Sequence, residues 1–400
     1  MMNTDLPGQG LRCVYVGVDA TNPTLILRIR SFLRAGVKVT GFTFRRHKFN
    51  QEFQPDWDNV HLGETVDRNY LARIPALAQG IWRMVKNRAT LRAADYIYAR
   101  NLDCAVIAAF AKILTGSKAK LVYEVEDVQE VFFFQNAKGA IFRWIERLLL
   151  RQSDLLVVMS PGFVRGYFAP TQGYDGPWYA LENRVQTEDV SVNTAVEPWE
   201  EITDRVVIGW FGTLRCTKSM AILEEIAQRL GDKVEIYTRG YPTETGMEAY
   251  QEILDRNPNW TYENEYTIPQ DLPDMYRRVH FSWCMDFLDE FGNSPLLLAC
   301  RMYQGGYYGA VPLVVEGSEM VNWLGQYGIG YTMGSDVVDN VVNFIEDFDM
   351  ETYRAERAKV MEMRDVFRED GSDLTGLLNL LRQDEMEVAA LPPVGMTPAE

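Results

Sequence analysis

The stretch RVVIGWFGTLRCTKSMAILEEIAQRLG, residues 205–231, decides the fold of this 400-residue chain. Its first eight residues are mostly apolar, which is typical of a strand buried on both faces of a parallel sheet. Gly212 ends that run, and residues 218–231 then carry apolar side chains at helical spacing up to a closing glycine. A strand that leads into such a helix predicts a βαβ unit.

The same alternation of strands and helices runs through both halves of the sequence. In the first half, strands are predicted at 11–19, 37–44, 95–99, 120–125 and 154–160, and helices at 24–36, 102–115 and 139–152. In the second half, strands are predicted at 205–212, 233–240, 259–263, 280–286 and 310–315. Helices are predicted there at 218–231, 243–256, 270–278, from about Pro295, and at 335–346, 350–368 and 371–383, the last capped by Ser372. The fold class is therefore α/β, with two successive Rossmann-like domains.

The polar, acidic stretch at 186–204 has no clear period and is predicted to link the two domains. The first domain then spans 1–185 and the second spans 205–370. A helix at 371–383 follows, and the tail at 384–400 is expected to be disordered. Ligands of open parallel sheets bind beyond the carboxyl ends of the strands, so functional residues are expected there.

The composition argues against several classes of protein. Five scattered cysteines without a CxxC pair argue against a disulfide framework and a structural zinc site, and they fit a reducing cytosol. The first residues lack the basic and apolar regions of a signal peptide. No run approaches the ~18 apolar residues of a transmembrane helix. We therefore expect a cytoplasmic protein.

The charge differs between the halves. Residues 1–190 hold 24 Lys and Arg and 19 Asp and Glu, a net of +5, whereas residues 191–400 hold 16 and 37, a net of −21. A basic first half suits an anionic partner, although acidic solvated helices in the second half would produce the same asymmetry. The overall acidity and the absence of a recognition module argue against nucleic acid.

Basic residues cluster at two places in the first half. One is the helical stretch IWRMVKNRATLR at 81–92, and the other is the set Arg28, Arg30, Arg34, Arg45, Arg46 and Lys48. Such a surface suits a lipid headgroup or a pyrophosphate-bearing lipid, and it equally suits solubility alone. Peripheral contact with the inner face of a membrane, through the first domain, is one expectation.

WFGTLRCTKS at 210–219 has the residues of a diphosphate site. Gly212 and Thr213 end a strand, where glycine lets a ligand approach the backbone, and the following helix offers free N–H groups. Arg215 and Lys218 add positive charge at the same place. The GxGxxG signature is absent, so no nicotinamide or flavin cofactor is expected. The alternative is an ordinary turn with two surface cations.

Two further strand ends repeat this pattern. Arg239 and Gly240 lie at the end of the strand predicted at 233–240. Gly292, Asn293 and Ser294 precede Pro295, which predicts an N-cap and a helix with proline in its first turn. Three strand ends would thus direct hydrogen-bond donors at one ligand.

The order of these motifs resembles a known family. The second half carries, in order, IGWFGTLRCTKS, YTRG, YRRVHFSWCMDFLDEFGNS and ACRMYQGGYYGAVPLVV, and the first half carries IYARNLD, LVYEVEDVQEVF and WIERLLLRQSDLLVVMSPGF. This series is similar to GT-B glycosyltransferases, above all the bacterial family 4 type of exopolysaccharide and lipopolysaccharide synthesis. The resemblance covers about residues 11 to 368. It implies two Rossmann-like domains that face each other across a cleft, with the nucleotide-sugar held by the second.

The resemblance assigns roles to ACRMYQGGYYGAVPLVV, residues 299–315. The family places a glutamate that holds the donor ribose where this chain has Gln304, and Leu296 replaces the first glutamate of the family's E-x7-E pattern. An amide can still bond a hydroxyl but cannot act as a base. Arg301 would brace the site or reach the diphosphate, beside Tyr303. The glycines at 305, 306 and 309 would permit close packing beside the ligand, although a core helix is the alternative.

The resemblance also implies residues on the acceptor side. In EVEDVQE, residues 124–130, Asp127 best matches the carboxylate that faces the acceptor, with Glu126 and Glu130 as competitors. An exposed acidic loop is the alternative. Further acceptor-side candidates are Asp19, Glu182 and Asn183.

The resemblance implies metal-independent transfer, because cations and helix dipoles stabilise the leaving diphosphate in these enzymes. DFD at 347–349 matches the DxD pattern of metal-dependent transferases of the other fold, but it lies in a late acidic segment and is interpreted as helix-terminal. No metal site and no cofactor are predicted.

The predicted function is transfer of a sugar from a UDP- or GDP-type donor to a hydroxyl, with a lipid-linked glycan of bacterial surface polysaccharide as acceptor. Arg215 and Lys218 would neutralise the leaving group, and Asp127 would act on the acceptor. Two alternatives remain open. One is an inactive assembly partner that binds nucleotide-sugar or glycan, which Gln304 suggests. The other is a nucleotide-sugar epimerase of the GT-B type.

Overall fold

The computed structural model describes residues 6–46, 52–65, 70–186 and 204–383. They form two compact units. The first runs up to Leu181 and resumes at Gly371, and the second spans Glu182–Asp370. Most of the predicted linker and the predicted tail at 384–400 lie outside the described residues.

Each unit contains a parallel β-sheet. The strands of the first sheet are β1 (Arg12–Gly17), β2 (Lys38–Arg45), β3 (Asp58–Glu64), β4 (Tyr96–Arg100), β5 (Lys120–Val125), β6 (Leu155–Val158) and β7 (Trp178–Ala180). A short parallel pair is formed by β8 (Val185–Gln186) and β15 (Arg368–Glu369). The strands of the second sheet are β9 (Val206–Thr213), β10 (Val234–Tyr241), β11 (Trp260–Tyr262), β12 (Phe281–Trp283), β13 (Val311–Val315) and β14 (Tyr331–Met333).

The helices connect these strands. They are α1 (Pro23–Arg34), α2 (Tyr70–Lys86), α3 (Arg88–Ala93), α4 (Asn101–Thr115), α5 (Ala137–Leu150), α6 (Pro161–Phe163), α7 (Thr217–Leu230), α8 (Gly246–Arg256), α9 (Leu272–Arg277), α10 (Cys300–Tyr308), α11 (Glu319–Gly325), α12 (Val337–Glu346), α13 (Met350–Glu362) and α14 (Ser372–Arg382). A π-helical segment at Val164–Gln172 extends α6, and 3₁₀ turns lie at Glu130–Phe132, Gly231–Lys233 and Arg364–Phe367. Among the described residues, no helix is long and apolar enough to cross a membrane.

Both sheets have the strand order of doubly wound folds. The first is ordered β3-β2-β1-β4-β5-β6-β7 and the second β11-β10-β9-β12-β13-β14, with every neighbouring pair parallel. Parallel strands put all their carboxyl ends at one edge of the sheet, which is where ligands bind in such folds. The predicted α/β class with two Rossmann-like domains is confirmed.

The last helix packs on the first unit. Leucines 374, 377, 378 and 381 of α14 are buried in one cluster with α1 and strands of the first sheet. The prediction that Ser372 caps this helix is wrong. Gly371 holds the cap position with a left-handed φ of 87°, and no side chain caps the helix there. Glycine adopts that backbone conformation without steric cost, so no hydroxyl cap is needed to start the helix.

Several elements were not predicted from the sequence, namely β3, β7, β14, α2 over most of its length, α11 and the π-helical segment. The three strands are short or lie at sheet edges, so their apolar periodicity is weak. Pro75 lies inside α2, where a proline normally argues against a helix.

A buried carboxyl group joins α5 to the π-helical segment. Glu146 accepts hydrogen bonds from Tyr123 Oη at 2.9 Å, Tyr167 Oη at 2.5 Å and Gln172 Nε2 at 2.7 Å. Burial raises the pKa of Glu146 from 4.5 to about 7, because desolvation of the charged form outweighs these hydrogen bonds.

We predict that Glu146 makes the protein less stable as the pH rises. The folded state holds the Glu146 proton up to about pH 7, whereas the unfolded chain releases it near pH ~4.3. Stability is therefore largest below the unfolded pKa and is lost as the pH rises through the folded pKa. Between pH 5 and 8 the wild type should lose up to ~3 kcal/mol more unfolding free energy than Glu146→Gln.

Chemical denaturation of both proteins at the two pH values measures this difference. Glu130→Gln removes an exposed carboxylate of the same domain and is the matched control. It should follow the wild-type pH dependence. Parallel curves for wild type and Glu146→Gln would contradict the prediction.

Candidate functional site

Two glycines at neighbouring strand ends shape the edge of the second sheet. Gly212 of β9 and Gly240 of β10 are register partners, and both have left-handed φ angles, of 116° and 128°. A Cβ atom on Gly240 would lie 1.8 Å from the carbonyl oxygen of Gly212, so only glycine fits there. A Cβ on Gly212 would meet nothing nearer than Tyr266 Oη at 3.9 Å. The backbone of Gly212 is therefore open to a ligand.

The turn after β9 presents two cations and a helix N-terminus. Leu214 N donates to Tyr241 O at 2.7 Å, and Cys216 caps α7 by accepting from Ser219 N at 3.3 Å. Arg215 is exposed, and its guanidinium makes no hydrogen bond or ion pair with any described residue. Thr213 beside it is also exposed. These features are the ones that bind anionic oxygens.

Lys218 lies in the first turn of α7, but its charge is already paired. Its Nζ is 2.5 Å from Glu290 Oε2 and 5.1 Å from the centre of the Phe287 ring. The pair is exposed on both sides, so its free energy is small. A phosphate at this turn would compete with the Glu290 carboxylate for the Lys218 ammonium group.

The side chain of Arg239 binds protein carbonyls. Its Nε donates to Glu263 O at 2.9 Å and its Nη2 to Glu265 O at 2.8 Å, with Asp271 Oδ2 3.7 Å away. These contacts hold the loop after β11 against the end of β10. Arg239 therefore positions a loop at the strand ends, and these two hydrogen bonds use two of its five N–H donors.

The helix predicted from about Pro295 does not begin there. α10 begins at Cys300, and the residues before it form turns closed by aspartates. Ser294 Oγ donates to Asp286 Oδ1 and accepts from Asp289 N at 2.9 Å. Asn293 N donates to Asp289 Oδ2 at 3.0 Å. Aspartate side chains that bind nearby backbone N–H groups favour turns over helix, so Asn293 and Ser294 cap no helix.

Tyr303 and Glu182 lie together in the interior of the second unit. Tyr303 Oη donates to Glu182 Oε2 at 2.9 Å, and the same oxygen accepts from Trp323 Nε1 at 3.1 Å and Arg184 Nε at 3.0 Å. Burial and this carboxylate raise the pKa of Tyr303. The two residues were expected on the donor and acceptor sides, whereas the structure joins them in one buried cluster. Asn183 beside Glu182 is half-buried.

Gln304 and Arg301 lie on α10 near the end of β12. Gln304 is half-buried and accepts from Tyr276 Oη at 3.2 Å. Arg301 Nη2 donates to Met285 O at 3.0 Å and lies 3.7 Å from Asp286 Oδ2. Arg301 is thus held against the chain after β12, and its two expected roles toward the site stay predictions.

The glycines of α10 make room for protein, which corrects the expectation that they pack beside a ligand. A Cβ on Gly305 would lie 2.7 Å from Ser282 Cβ, and one on Gly306 would lie 2.3 Å from the Phe367 ring. Gly309 ends α10 with a φ of 88°. Gly305 and Gly306 let the helix approach β12 and the 3₁₀ turn at Arg364–Phe367 closely. Gly309 terminates the helix in a left-handed conformation.

A cluster of buried charges lies at the carboxyl ends of β4 and β5 in the first unit. Glu124 is fully buried between two arginines, with its Oε1 3.1 Å from Arg28 Nε and its Oε2 3.5 Å from Arg100 Nε. Arg100 also pairs with Glu126, which further accepts from Asn101 Nδ2 at 3.3 Å. Arg100 was not predicted from the sequence as part of a site, and Arg28 was expected on a lipid-facing surface. The one available signal for Arg100 was its position, directly after the strand predicted at 95–99.

The three carboxylates considered for the acceptor side have different environments. Glu126 is half-buried and engaged by Arg100, whereas Asp127 and Glu130 are exposed. Asp127 is thus an exposed acid in the loop that follows β5, and a role toward the acceptor stays a prediction.

Asp19 closes the turn after β1. Its Oδ1 accepts from Thr21 N at 3.0 Å, Thr21 Oγ1 at 2.8 Å and Arg46 N at 3.3 Å, and the residue is buried. Its geometry accounts for the local turn, and a role toward the acceptor stays a prediction.

No three His, Cys, Asp or Glu side chains come together to hold a metal ion within the part of the chain that the structure describes. The DFD segment is helix-terminal, as predicted, because Asp349 caps α13 by accepting from Thr352 N at 2.8 Å. All five cysteines lie in the described ranges and none forms a disulfide there; four are buried and Cys300 is exposed.

The chain has a curated relative of similar length. It is 30% identical over 338 residues to the succinoglycan biosynthesis protein ExoL of Rhizobium meliloti (strain 1021), and the match covers 82% of each protein. No family model matches the sequence.

Solved structures share the fold across nearly the whole chain. Sucrose-phosphate synthase from Thermosynechococcus elongatus matches with a TM-score of 0.69 at 11% identity, covering 92% of this chain and 98% of that one. Anabaena HepE in complex with UDP and glucose matches with a TM-score of 0.65 at 14% identity, covering 92% and 98%. A glycosyltransferase from Rickettsia africae ESF-5 matches with a TM-score of 0.65 at 11% identity, covering 94% and 100%. These likenesses confirm the expected GT-B fold.

We predict that Gly240→Ala destabilises the second domain by more than ~2 kcal/mol, because the new Cβ would overlap the Gly212 carbonyl. Gly246→Ala is the matched control, since Gly246 has a φ of 75° and no heavy atom within 4 Å of the added Cβ. This control should lower the free energy of unfolding by only ~1–2 kcal/mol, which is the cost of a left-handed backbone conformation at a residue with a side chain. Denaturant unfolding measures both. Equal losses would show that the backbone contact is not tight.

Proposed function

The chain belongs to the family of the succinoglycan biosynthesis protein ExoL and has the GT-B glycosyltransferase fold, and we propose that it transfers a sugar from a nucleotide diphosphate donor to a glycan hydroxyl. It is a glycosyltransferase of polysaccharide biosynthesis. Its donor carries UDP, and its acceptor is a lipid-linked glycan that it meets at the inner face of a membrane. HepE, which has the same fold, was solved with UDP and glucose, and this supports the choice of UDP.

Arg215 carries the proposal for the donor side. It is an exposed guanidinium without a side-chain partner in the described ranges, placed between the open backbone of Gly212 and the first turn of α7. A diphosphate that leaves a sugar gains negative charge, and a guanidinium can bind two of its oxygens at once. Preorganised cations that stabilise such charge lower the barrier to transfer. Lys218 adds a second cation once Glu290 releases it.

The proposed step moves one glycosyl group. The bond between the anomeric carbon and the diphosphate oxygen breaks, the electron pair leaves with the diphosphate, and an acceptor oxygen bonds to that carbon. Asp127 takes the proton of the acceptor hydroxyl. An exposed carboxylate in the loop after a strand can reach a hydroxyl in this way. General-base catalysis typically contributes 10²–10⁴-fold to a rate.

The donor ribose is bound by Gln304 in this proposal. Its amide N–H₂ can donate to a ribose hydroxyl while its Oε1 keeps the hydrogen bond from Tyr276. Arg239, Gly240, Asn293, Ser294 and Arg301 shape the strand ends beside it. Tyr303, with Glu182, supports the helix from the interior.

Gln304 also favours one alternative function, an inactive assembly partner that binds the donor. The two functions differ in a single measurement. A transferase hydrolyses its donor slowly when the acceptor is absent, whereas a pure binding protein leaves the donor intact.

We predict that UDP raises the thermal stability of the wild type and that Arg215→Ala removes this shift. A ligand at one hundred times its Kd adds ~2.7 kcal/mol, which thermal unfolding detects. Arg229→Ala is the matched control, because Arg229 is an exposed arginine at the other end of α7, paired with Asp339. It should keep the shift.

GDP, ADP, CMP and dTDP are measured in the same way. A larger shift with GDP than with UDP would overturn the choice of base. A shift that Arg215→Ala leaves intact would overturn the placement of the diphosphate.

We predict that Asp127→Asn lowers the rate of sugar transfer by at least ~100-fold while the UDP-induced thermal shift persists. Glu130→Gln, a carboxylate exposed on the same loop, should retain most of the activity. The rates are measured with a radiolabelled UDP-sugar and a membrane extract as acceptor source. Equal rates for Asp127→Asn and wild type would remove Asp127 from the mechanism.

A further inference from the structure

Six large apolar side chains are exposed on two neighbouring helices of the first domain. Each is 40–65% exposed, and they are Phe110, Ile113 and Leu114 on α4 and Ile141, Trp144 and Leu148 on α5. The two helices pack beside each other. The spacing of three and four residues puts each set in a stripe along one side of its helix. We call these six residues the apolar face.

Packing of the domain does not explain the apolar face. The inner side of α4 is buried through Leu102, Ile107 and Ala111, so the helix already covers the core with other residues. A helix that only covers a sheet carries polar side chains on its outer side. Contiguous exposed apolar surface marks a site of interaction.

Most of the charges beside the apolar face are basic, and Glu130 is an exposed acid ahead of α5. Residues 104–123 contain three lysines and no Asp or Glu, and in residues 131–153 the sole acid is Glu146, which is buried. Lys138 and Arg151 lie exposed at the two ends of α5. Asp154, which is exposed nearby, pairs with Lys112 at 3.1 Å. The rim of the face is therefore complementary to an anionic surface.

The neighbouring helix α2 extends this arrangement. It packs against α4 and exposes Trp82, whose ring lies 3.7 Å from Lys86 Nζ. Residues 70–93 contain five Arg and Lys and no Asp or Glu. Tryptophan with neighbouring lysine is typical of the boundary between lipid and water.

We propose that the apolar face docks the enzyme on a membrane of anionic lipid. Ile113 and Trp144 enter the headgroup region, while Lys138 and Arg151 lie against the lipid phosphates. A second copy of the chain fits less well, because pairing of this face with itself would bring two basic rims together. The proposal rests on the proposed function in one respect, since a lipid-linked acceptor gives the docking its purpose.

Vesicle co-sedimentation of the full chain tests the proposal. The vesicles are phosphatidylcholine alone, or phosphatidylcholine with about one third phosphatidylglycerol. We expect binding to the anionic vesicles and loss of at least ~10-fold in affinity for the double variant Ile113→Ser/Trp144→Ser. The matched control is Leu33→Ser/Met247→Ser, which removes two exposed apolar side chains outside the face. It should bind as the wild type does.

Lys138→Ala/Arg151→Ala tests the basic rim separately. This variant should bind the anionic vesicles more weakly and less salt-dependently, because the counterion contribution is reduced. Equal binding of the wild type and Ile113→Ser/Trp144→Ser, or no binding of the wild type to anionic vesicles, would overturn the proposal. A wild-type dimer that Ile113→Ser/Trp144→Ser converts to monomer would also overturn it, and would assign the face to self-association.

Donor hydrolysis without acceptor separates this proposal from the proposed function. Both double variants of exposed apolar residues should hydrolyse the donor at the wild-type rate, because neither touches the donor residues. Vesicle binding without any donor cleavage would support the docking proposal and overturn the proposed transferase function. Donor cleavage without vesicle binding would support the transferase function and overturn the docking proposal.

Discussion

The arrangement of the strand ends in the second domain depends on one constraint, the close approach of the Gly212 and Gly240 backbones. A side chain at Gly240 would overlap the neighbouring carbonyl, so the two strands can end side by side only with glycine at position 240. The hydrogen bond from Leu214 N to Tyr241 O then turns the chain directly into α7. Arg215 is presented in that turn, next to open backbone. The packing of the two strand ends thus puts the positive charge of Arg215 beside a helix N-terminus, and both features favour a bound anion.

Charge pairing plays the equivalent part in the first domain. Glu124 has no access to solvent, and a buried carboxylate persists only when its charge is compensated, here by Arg28 and Arg100. Arg100 also engages Glu126, which leaves Asp127 as the exposed acid nearest the strand end. Four carboxylates that look equivalent in EVEDVQE therefore differ in what they can do. The arginines on α1 and β4 decide which of them are paired within the domain.

The helix α5 reverses the usual distribution of polarity. Its inner side carries Glu146, held by two tyrosines and a glutamine, and its outer side carries Ile141, Trp144 and Leu148. The buried carboxyl group costs desolvation, and the exposed apolar residues contribute nothing to the core. The exposed apolar residues become reasonable if the outer side meets lipid, since the charged residues of α5 that reach solvent are lysine and arginine, which suits an anionic membrane.

The sequence by itself determined the α/β class, the two Rossmann-like domains and the strand ends at Gly212 and Gly240, because strand and helix periodicity and glycine punctuation are local properties of the chain. It also pointed to Arg215 and Asp127 as candidates. Only the tertiary structure decided that Tyr303 bonds Glu182, that the glycines of α10 admit Ser282 and Phe367, and that Asp286 and Asp289 replace a predicted helix with turns. These outcomes depend on partners distant in sequence or on competition between side chain and backbone, and periodicity carries no information about either.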